Sequence, residues 1–337
     1  MPAFHGSTCA SLYLLRVDPA LDLYSSSANT SETLVDATAR RYPIAYGARP
    51  NSFEDSILLV KSIIYRYFME VMSKIDSIAA KDLIETLASK GRYSFTSQEA
   101  RNRLKVSPDA SKLALNRLTK QGLIATPARG FYVIIPPEYR SLGCLPAEQF
   151  IPDLMKLKEL NYYAGLLTAA QYYGAAHQRP QEFQIFVQKN RRPIRCGKIR
   201  VRFIARKNIN DVPVRTFNTS RGALKVSTPE ATAIDLAGYP EHVGGLDQVA
   251  TILSELAGEI DASALVEAAT TAPITWVQRL GYILELVEAA NVTASLKEYV
   301  DQHAREYTML IPGGSNEGEP RLRDWKLVVN AKLEPDI

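Results

Sequence analysis

The sequence predicts an α+β chain: an N-terminal winged helix-turn-helix, then a larger mixed α/β C-terminal domain with helices after a small antiparallel sheet. Three observations carry that reading. Residues 96–136 hold a short helical stretch, a turn, a well-punctuated second helix and a tight hairpin in direct succession. Two segments between 183 and 204 alternate apolar and polar residues with period two. From Thr228 onward the pattern is mostly helical. With 337 residues, 46% of them hydrophobic and 23% charged, two domains with a sizeable core are expected.

Residues 1–71 read differently from the rest. The run Ser25-Ser26-Ser27-Ala28-Asn29-Thr30-Ser31 is polar and of low complexity, and no sustained periodicity precedes Ser56. The apolar run 57–71 is interrupted by Lys61, Arg66 and Glu70, so it reads as an amphipathic helix and not as a membrane span. Met72 then opens into a strongly helical segment, 77–90, with Ala80, Leu83, Ile84 and Leu87 on one stripe. The expectation is a poorly ordered extension over 1–71, with Met72 as the natural start. A disordered arm with a lead helix is the alternative. No basic region precedes the short apolar patch at 12–15, which argues against a secretory signal. Cys9, Cys144 and Cys196 are scattered, with no CxxC and no metal spacing, which suits a reducing cytoplasm.

Residues 72–137 make the expected DNA-binding domain. Ser107 is placed to cap the second helix, Pro108 sits where its missing N–H costs nothing, and Gly122 stands at the stop. Residues 123–125 and 131–135 read as two short strands around a turn at 126–130, with Arg129 at its tip. On a helical wheel, Ala110, Ala114, Leu115 and Leu118 share the core side. Lys112, Asn116 and Lys120 face the other way, with Arg117 at the flank. Lys and Arg neutralise phosphates or reach guanine, and Asn pairs with adenine. A merely solvated helix face is the alternative for these residues, and the wing that follows weighs against it. Leu113 also points outward and has no role in this reading.

After a boundary around 136–146, the C-terminal domain covers 150–337. A helix is expected over 157–173, helped by Ala164, Gly165, Ala169 and Ala170. Strands at 183–188 and 198–204 should pair as a hairpin joined by a basic loop at 190–196, with further strands at 214–217 and 223–226. Thr228, Pro229 and Glu230 open a helix, and others follow at 245–256, 262–269, 274–289 and 292–304. Short strands near 308–311 and 325–329 close the domain around Gly313-Gly314.

Charge is strongly segregated beneath a net +4. Residues 77–140 carry eleven Lys/Arg against five Asp/Glu, and residues 179–207 carry ten against Glu182 alone. Residues 227–306 carry thirteen acids against three bases. The two basic zones could share one nucleic-acid surface, with Arg191, Arg192, Arg195, Arg200 and Arg202 forming a second basic patch, while the acidic zone turns away. Catalytic chemistry is not visible. There is no GxSxG, HExxH or GxxxxGK[ST]. The histidines at 5, 177, 242 and 303 are isolated. Glu230 and Asp235 lie five apart, each with an ordinary capping or surface role available. Asp324, Lys326 and Glu334 are not required to converge on a metal. No active site, cofactor or metal is expected.

The second domain carries Tyr163-Ala164-Gly165-Leu166-Leu167-Thr168-Ala169-Ala170-Gln171-Tyr172-Tyr173-Gly174, Asn218-Thr219-Ser220-Arg221-Gly222 and Val226-Ser227-Thr228-Pro229-Glu230-Ala231-Thr232-Ala233-Ile234-Asp235-Leu236. It ends with Val277-Gln278-Arg279-Leu280-Gly281-Tyr282 and Trp325-Lys326-Leu327-Val328-Val329-Asn330. With a winged helix before it, this series resembles the AbiEi antitoxin family of type IV toxin–antitoxin, or abortive-infection, systems, over about residues 75–330. The resemblance implies a non-enzymatic protein of two functions in the cytoplasm. The winged helix would repress its own operon by binding inverted repeats in the promoter. The C-terminal domain would counteract a co-encoded nucleotidyltransferase-like toxin without a stable complex. It also implies a basic-faced C-terminal domain, and no catalytic residue carries over. A nuclease delivered by the winged helix, dependent on Glu230, Asp235 or Glu334, and a ligand-sensing transcription factor are the alternatives.

Overall fold

The computed structural model describes residues 62, 64–67, 79–175, 180–314 and 317–335. The chain divides into two compact units, 1–75 and 76–337. In the first, residues 62 and 64–67 are helical and exposed. The expectations placed on residues 1–61, on Met72 and on His177 lie outside the described residues.

In the second unit, residues 79–89 form α1, which buries Ala80, Leu83, Ile84 and Leu87 as their spacing predicts. β1 (Ser94–Thr96) feeds α2 (Ser97–Leu104), whose first turn is capped by the Thr96 hydroxyl accepting from the Glu99 backbone N–H at 3.1 Å. Lys105, left-handed at φ 53, ends α2. α3 (Pro108–Lys120) begins as its sequence dictates: Ser107 Oγ accepts from the Ala110 N–H at 3.2 Å and Pro108 occupies the first position. Gly122 supplies the left-handed stop at φ 67. β2 (Ile124–Ala128) and β3 (Phe131–Ile134) then pair antiparallel, with β1 on the far side of β3. The register shifts between Ala125 and Ala128, so Pro127 sits where no ladder N–H is needed. Leu87, Phe95, Leu115, Leu118 and Ile124 fill the core beneath.

The connection to the rest of the chain is ordered. A 3₁₀ turn spans Pro137–Leu142, Cys144 and Leu145 are buried, and α4 (Ala147–Leu157) follows. The single helix expected over 157–173 is not there. β4 (Tyr162–Ala164) interrupts it, and only α5 (Leu166–Tyr172) is helical. Ala169 and Ala170 do lie in that helix, whereas Gly165 serves close approach: a Cβ there would stand 2.6 Å from the Phe186 ring.

β5 (Phe183–Val187), β6 (Ile194–Cys196), β7 (Ile199–Ala205), β8 (Val214–Thr219) and β9 (Gly222–Ser227) complete a six-stranded sheet in the order β6-β7-β5-β4-β9-β8. Two expectations are corrected here. β5 and β7 do not form a hairpin but run parallel, and the hairpin is β6–β7. The sheet is mixed and not antiparallel, with β4 and β9 also parallel. Period two fixes which residues share a face but not which strand lies alongside.

That alternation sorts the core into two layers. Tyr163, Phe186 and Ile204 face the helices α6 (Pro229–Gly238), α7 (Leu246–Leu256), α8 (Ala262–Ala269), α9 (Ile274–Leu286) and α10 (Ala290–His303). Ile185, Val187, Val201 and Phe203 face α4 and, with it, Ala125, Phe131 and Val133 of the β2–β3 hairpin. The helix opening at Thr228 is capped as expected, its hydroxyl accepting from the Ala231 N–H at 3.3 Å. A last small sheet of β10 (Thr308–Met309), β11 (Arg321–Leu322) and β12 (Leu327–Val328) seats the fully buried Trp325 against α9.

Gly281 marks where that indole rests. A Cβ there would stand 2.1 Å from the ring, whereas one on Gly258 would meet nothing within 4 Å. Gly281→Ala should therefore lower stability by about 1–3 kcal/mol through overpacking, with Gly258→Ala near neutral, read from urea denaturation midpoints.

Candidate nucleic-acid interface

α3 presents its polar side to solvent. Lys112, Asn116 and Lys120 are exposed, Arg117 is half-buried at the flank, and Arg129 is exposed at the β2–β3 tip. Opposite them Ser111, Ala114, Leu115 and Leu118 are buried. The wheel deduced from sequence thus matches the burial of Ala114, Leu115 and Leu118, whereas Ala110 is half-buried and Ser111 is buried in addition; Leu113 is exposed as expected. The tip is held against α2, where the Ser97 N–H donates to the Gly130 carbonyl at 3.0 Å and Gly130 is left-handed at φ 77. α2 is fixed by Glu99, which accepts from Arg92 at 2.7 and 2.9 Å and pairs with Arg103 at 3.2 Å. The Arg92 hydrogen bonds hold the Glu99 carboxyl below its ordinary range. Arg92 and Arg103 are spent on positioning α2, whereas Lys112 and Lys120 of α3 are exposed.

The second basic patch divides in the structure. Arg191, Arg192 and Arg195 are exposed. Arg200 donates to the Gly197 and Ile199 carbonyls at 2.8 and 3.1 Å, and Arg202 pairs with Glu182. Arg206, counted in the same basic zone, is buried and belongs to the core. Arg195 reaches the C-terminal end of α3. It lines a cleft with Arg140, Thr119 and Gln121 at the end of α3, and Thr126 of β2. β6 is pinned there by close backbone contact. The Lys198 N–H donates to the Leu142 carbonyl at 2.7 Å, and a Cβ on Gly197 would stand 2.1 Å from that oxygen.

Cys144 and Cys196, far apart in sequence, meet beside this contact. Both are buried, and hydrogen bonding to Cys196 together with burial pushes the Cys144 thiol up. Arg221 completes the junction. Its guanidinium lies 3.7 Å over the Tyr93 ring and 5.6 Å from the Tyr139 ring, and it hydrogen-bonds Gln149. Neither the cysteine contact nor the Arg221 stack has a local sequence signature, because each joins segments tens of residues apart.

The carboxylates considered for catalysis go to separate tasks. Asp235 has no surface role: it is fully buried, paired with Arg206 and accepting from Tyr163 Oη at 2.9 Å. Arg206 also donates to the Thr271 carbonyl and hydroxyl, both at 3.3 Å, and lies 5.6 Å from the Trp276 ring. Burial pushes the Tyr163 phenol up. Glu230 accepts the Asp261 backbone N–H at 3.1 Å, which fixes the start of α8. Glu334 pairs with Lys332 at 2.8 Å, and Asp324 with Lys297 at 3.2 Å. Lys326 approaches Asp301 at 3.6 Å. His242 sits beside Glu241, and His303 stacks on Tyr299 with ring centroids 4.1 Å apart. Among the described residues no group of three or more His, Cys, Asp or Glu is placed to hold a metal, and no helix is long and apolar enough to cross a membrane.

Comparison with known proteins gives two family matches. Residues 163–286 match the AbiEi antitoxin C-terminal domain, and residues 82–135 match "Transcriptional regulator, AbiEi antitoxin". The RV2827C protein from Mycobacterium tuberculosis shares the fold at TM-score 0.55 with 18% identity, over 74% of this chain and 91% of that chain. The antibiotic-resistance factor ANT(2'')-Ia aligns at TM-score 0.21 with 12% identity, over 45% of this chain and 94% of that chain. No curated protein matches the chain.

The buried ion pair gives a direct test of its structural role. Arg206→Met leaves Asp235 charged and unpaired in the core and should cost about 3–5 kcal/mol. Arg206→Met with Asp235→Leu should recover most of that loss, measured by chemical denaturation as a double-mutant cycle.

Proposed function

The chain belongs to the AbiEi antitoxin family, and from that premise we propose that it is a DNA-binding autorepressor and an antitoxin in one molecule. Its two matched segments are those of a transcriptional regulator and of an antitoxin. In this reading the elements β1, α2, α3, β2 and β3 act as a winged helix-turn-helix, with α3 in the major groove. Residues 72–137 serve as the DNA-binding domain and 150–337 as the antitoxin domain. The DNA is the inverted repeats of the chain's own promoter. The antitoxin half counteracts a co-encoded nucleotidyltransferase-like toxin in the cytoplasm without a stable complex.

The observation that carries the DNA half is the exposure of Lys112, Asn116 and Lys120 on one face of a capped, core-anchored helix, with Arg129 also exposed on the hairpin tip. Outward Lys and Asn side chains on an anchored helix supply the donors that phosphate contact and base readout use. Arg117 flanks that face. Arg195, in the cleft at the end of α3, adds to that positive field, and Arg191 and Arg192 are exposed, while Arg200 and Arg202 are already engaged within the protein. The acidic stretch 227–306 falls mainly in α6 to α10, on the opposite face of the sheet from the β2–β3 hairpin. An acidic layer held on that side leaves the basic side free to meet DNA.

The test separates the two functions in the full chain. Lys112→Ala, Asn116→Ala and Arg129→Ala together should weaken retardation of promoter DNA. Lys112→Ala alone should flatten the log–log salt slope by about 0.9 if it neutralises one phosphate. The triple variant should still rescue growth when co-expressed with the neighbouring nucleotidyltransferase-like product. Unchanged retardation would remove α3 from the DNA, and failure of the wild-type chain to rescue would remove the antitoxin half.

A further inference from the structure

Leu113 is 56% exposed, more than any other leucine among the described residues. Single exposed leucines are ordinary on protein surfaces, but this one has an unusual setting. At 100° per residue it lies between Lys120 and Arg117 on the wheel, within the face that also holds Lys112 and Asn116. Its neighbours one turn away are Asp109, Ala110, Asn116 and Arg117, none of which can cover it with a large apolar side chain. The buried stripe of Ser111, Ala114, Leu115 and Leu118 lies on the other side. An apolar branch therefore stands in solvent amid groups suited to phosphates and base edges.

A major groove offers one apolar feature to such a side chain, the C5-methyl of thymine. Resting on the DNA-binding reading above, we propose that Leu113 is a specificity-determining residue that packs on a thymine methyl in the bound duplex. Lys112, Lys120 and Arg129 supply affinity without sequence information where they meet phosphate. Leu113 cannot bond to phosphate, so its contribution is confined to bases that carry the methyl. The excess of Lys112, Arg117 and Lys120 over Asp109 on this face also disfavours a second copy of the same face as the occupant, because like charges would be brought together.

Replacing thymine by deoxyuridine deletes that methyl and leaves every hydrogen-bonding edge intact. The probe is the tightest-binding duplex recovered from a random-sequence library by the full chain, with each thymine replaced singly. For wild type, at least one replacement should weaken binding about fourfold, the worth of one methyl-sized apolar group. Leu113→Ala should be indifferent to that replacement, whereas Lys112→Ala should keep the fourfold loss while binding all duplexes more weakly. If Leu113→Ala loses as much as wild type, or no thymine is sensitive, the assignment to Leu113 is overturned while DNA binding stands. If no library duplex outcompetes bulk DNA, sequence-specific binding falls and this inference falls with it.

Discussion

Phe131 and Val133 of the β2–β3 hairpin lie in the same apolar cluster as Phe150, Ile151 and Val201. Most of the molecule's organisation depends on that shared burial. The hairpin spends one side on the core over α1 to α3, through Ile124 and Ile134, and the other on the face of the six-stranded sheet. Neither half can shed this contact without exposing apolar surface, which costs about 25 cal/mol per Å². The segment between them is accordingly no linker. Ile135, Cys144 and Leu145 are buried along it, and Arg221 clamps Tyr93, Tyr139 and Gln149 from opposite ends of the junction.

Local chemistry was legible in the sequence wherever a structural decision is made within a few residues. Ser107 with Pro108 and Thr228 with Pro229 announce helices because a cap and a proline act on the next turn alone. The wheel of α3 was legible for the same reason, since a capped helix leaves only one rotation that buries Leu115 and Leu118. Non-local decisions were not. The parallel pairing of β5 with β7 depends on β6 passing outside them, and period two carries no record of it. β4 hides inside a helix-like stretch because Gly165 after it is required by the close approach of the Phe186 ring, a tertiary demand that overrides propensity.

Charge shows the same divide. Summing residues gives a basic stretch at 179–207, yet its members do different work. Arg206 is sunk with Asp235 in the core, Arg200 and Arg202 are bound within the sheet, and Arg195 reaches the cleft beside α3. A count cannot distinguish these, because desolvation and partner geometry decide whether a cation contributes to an outer field. The candidate interface was thus half visible: the α3 face could be named residue by residue, whereas the sheet's contribution required knowing which strand packs beside β2.

Rigid fusion also constrains how one half can influence the other. Two modules on a flexible tether communicate only through local concentration, which rises and falls with linker length. Here the hairpin is common to both cores, so any displacement of the sheet's inner face must be taken up by Phe131, Val133 or Ile135. On the proposed reading, a molecule that bound the antitoxin half could change DNA affinity only by discriminating between two packings of that cluster, since equal affinity for both shifts nothing. Close-packed interiors deform in discrete steps and not continuously. The natural location for coupling, where it exists, is therefore the junction of Arg221, Cys144 and Gly197 and not a hinge.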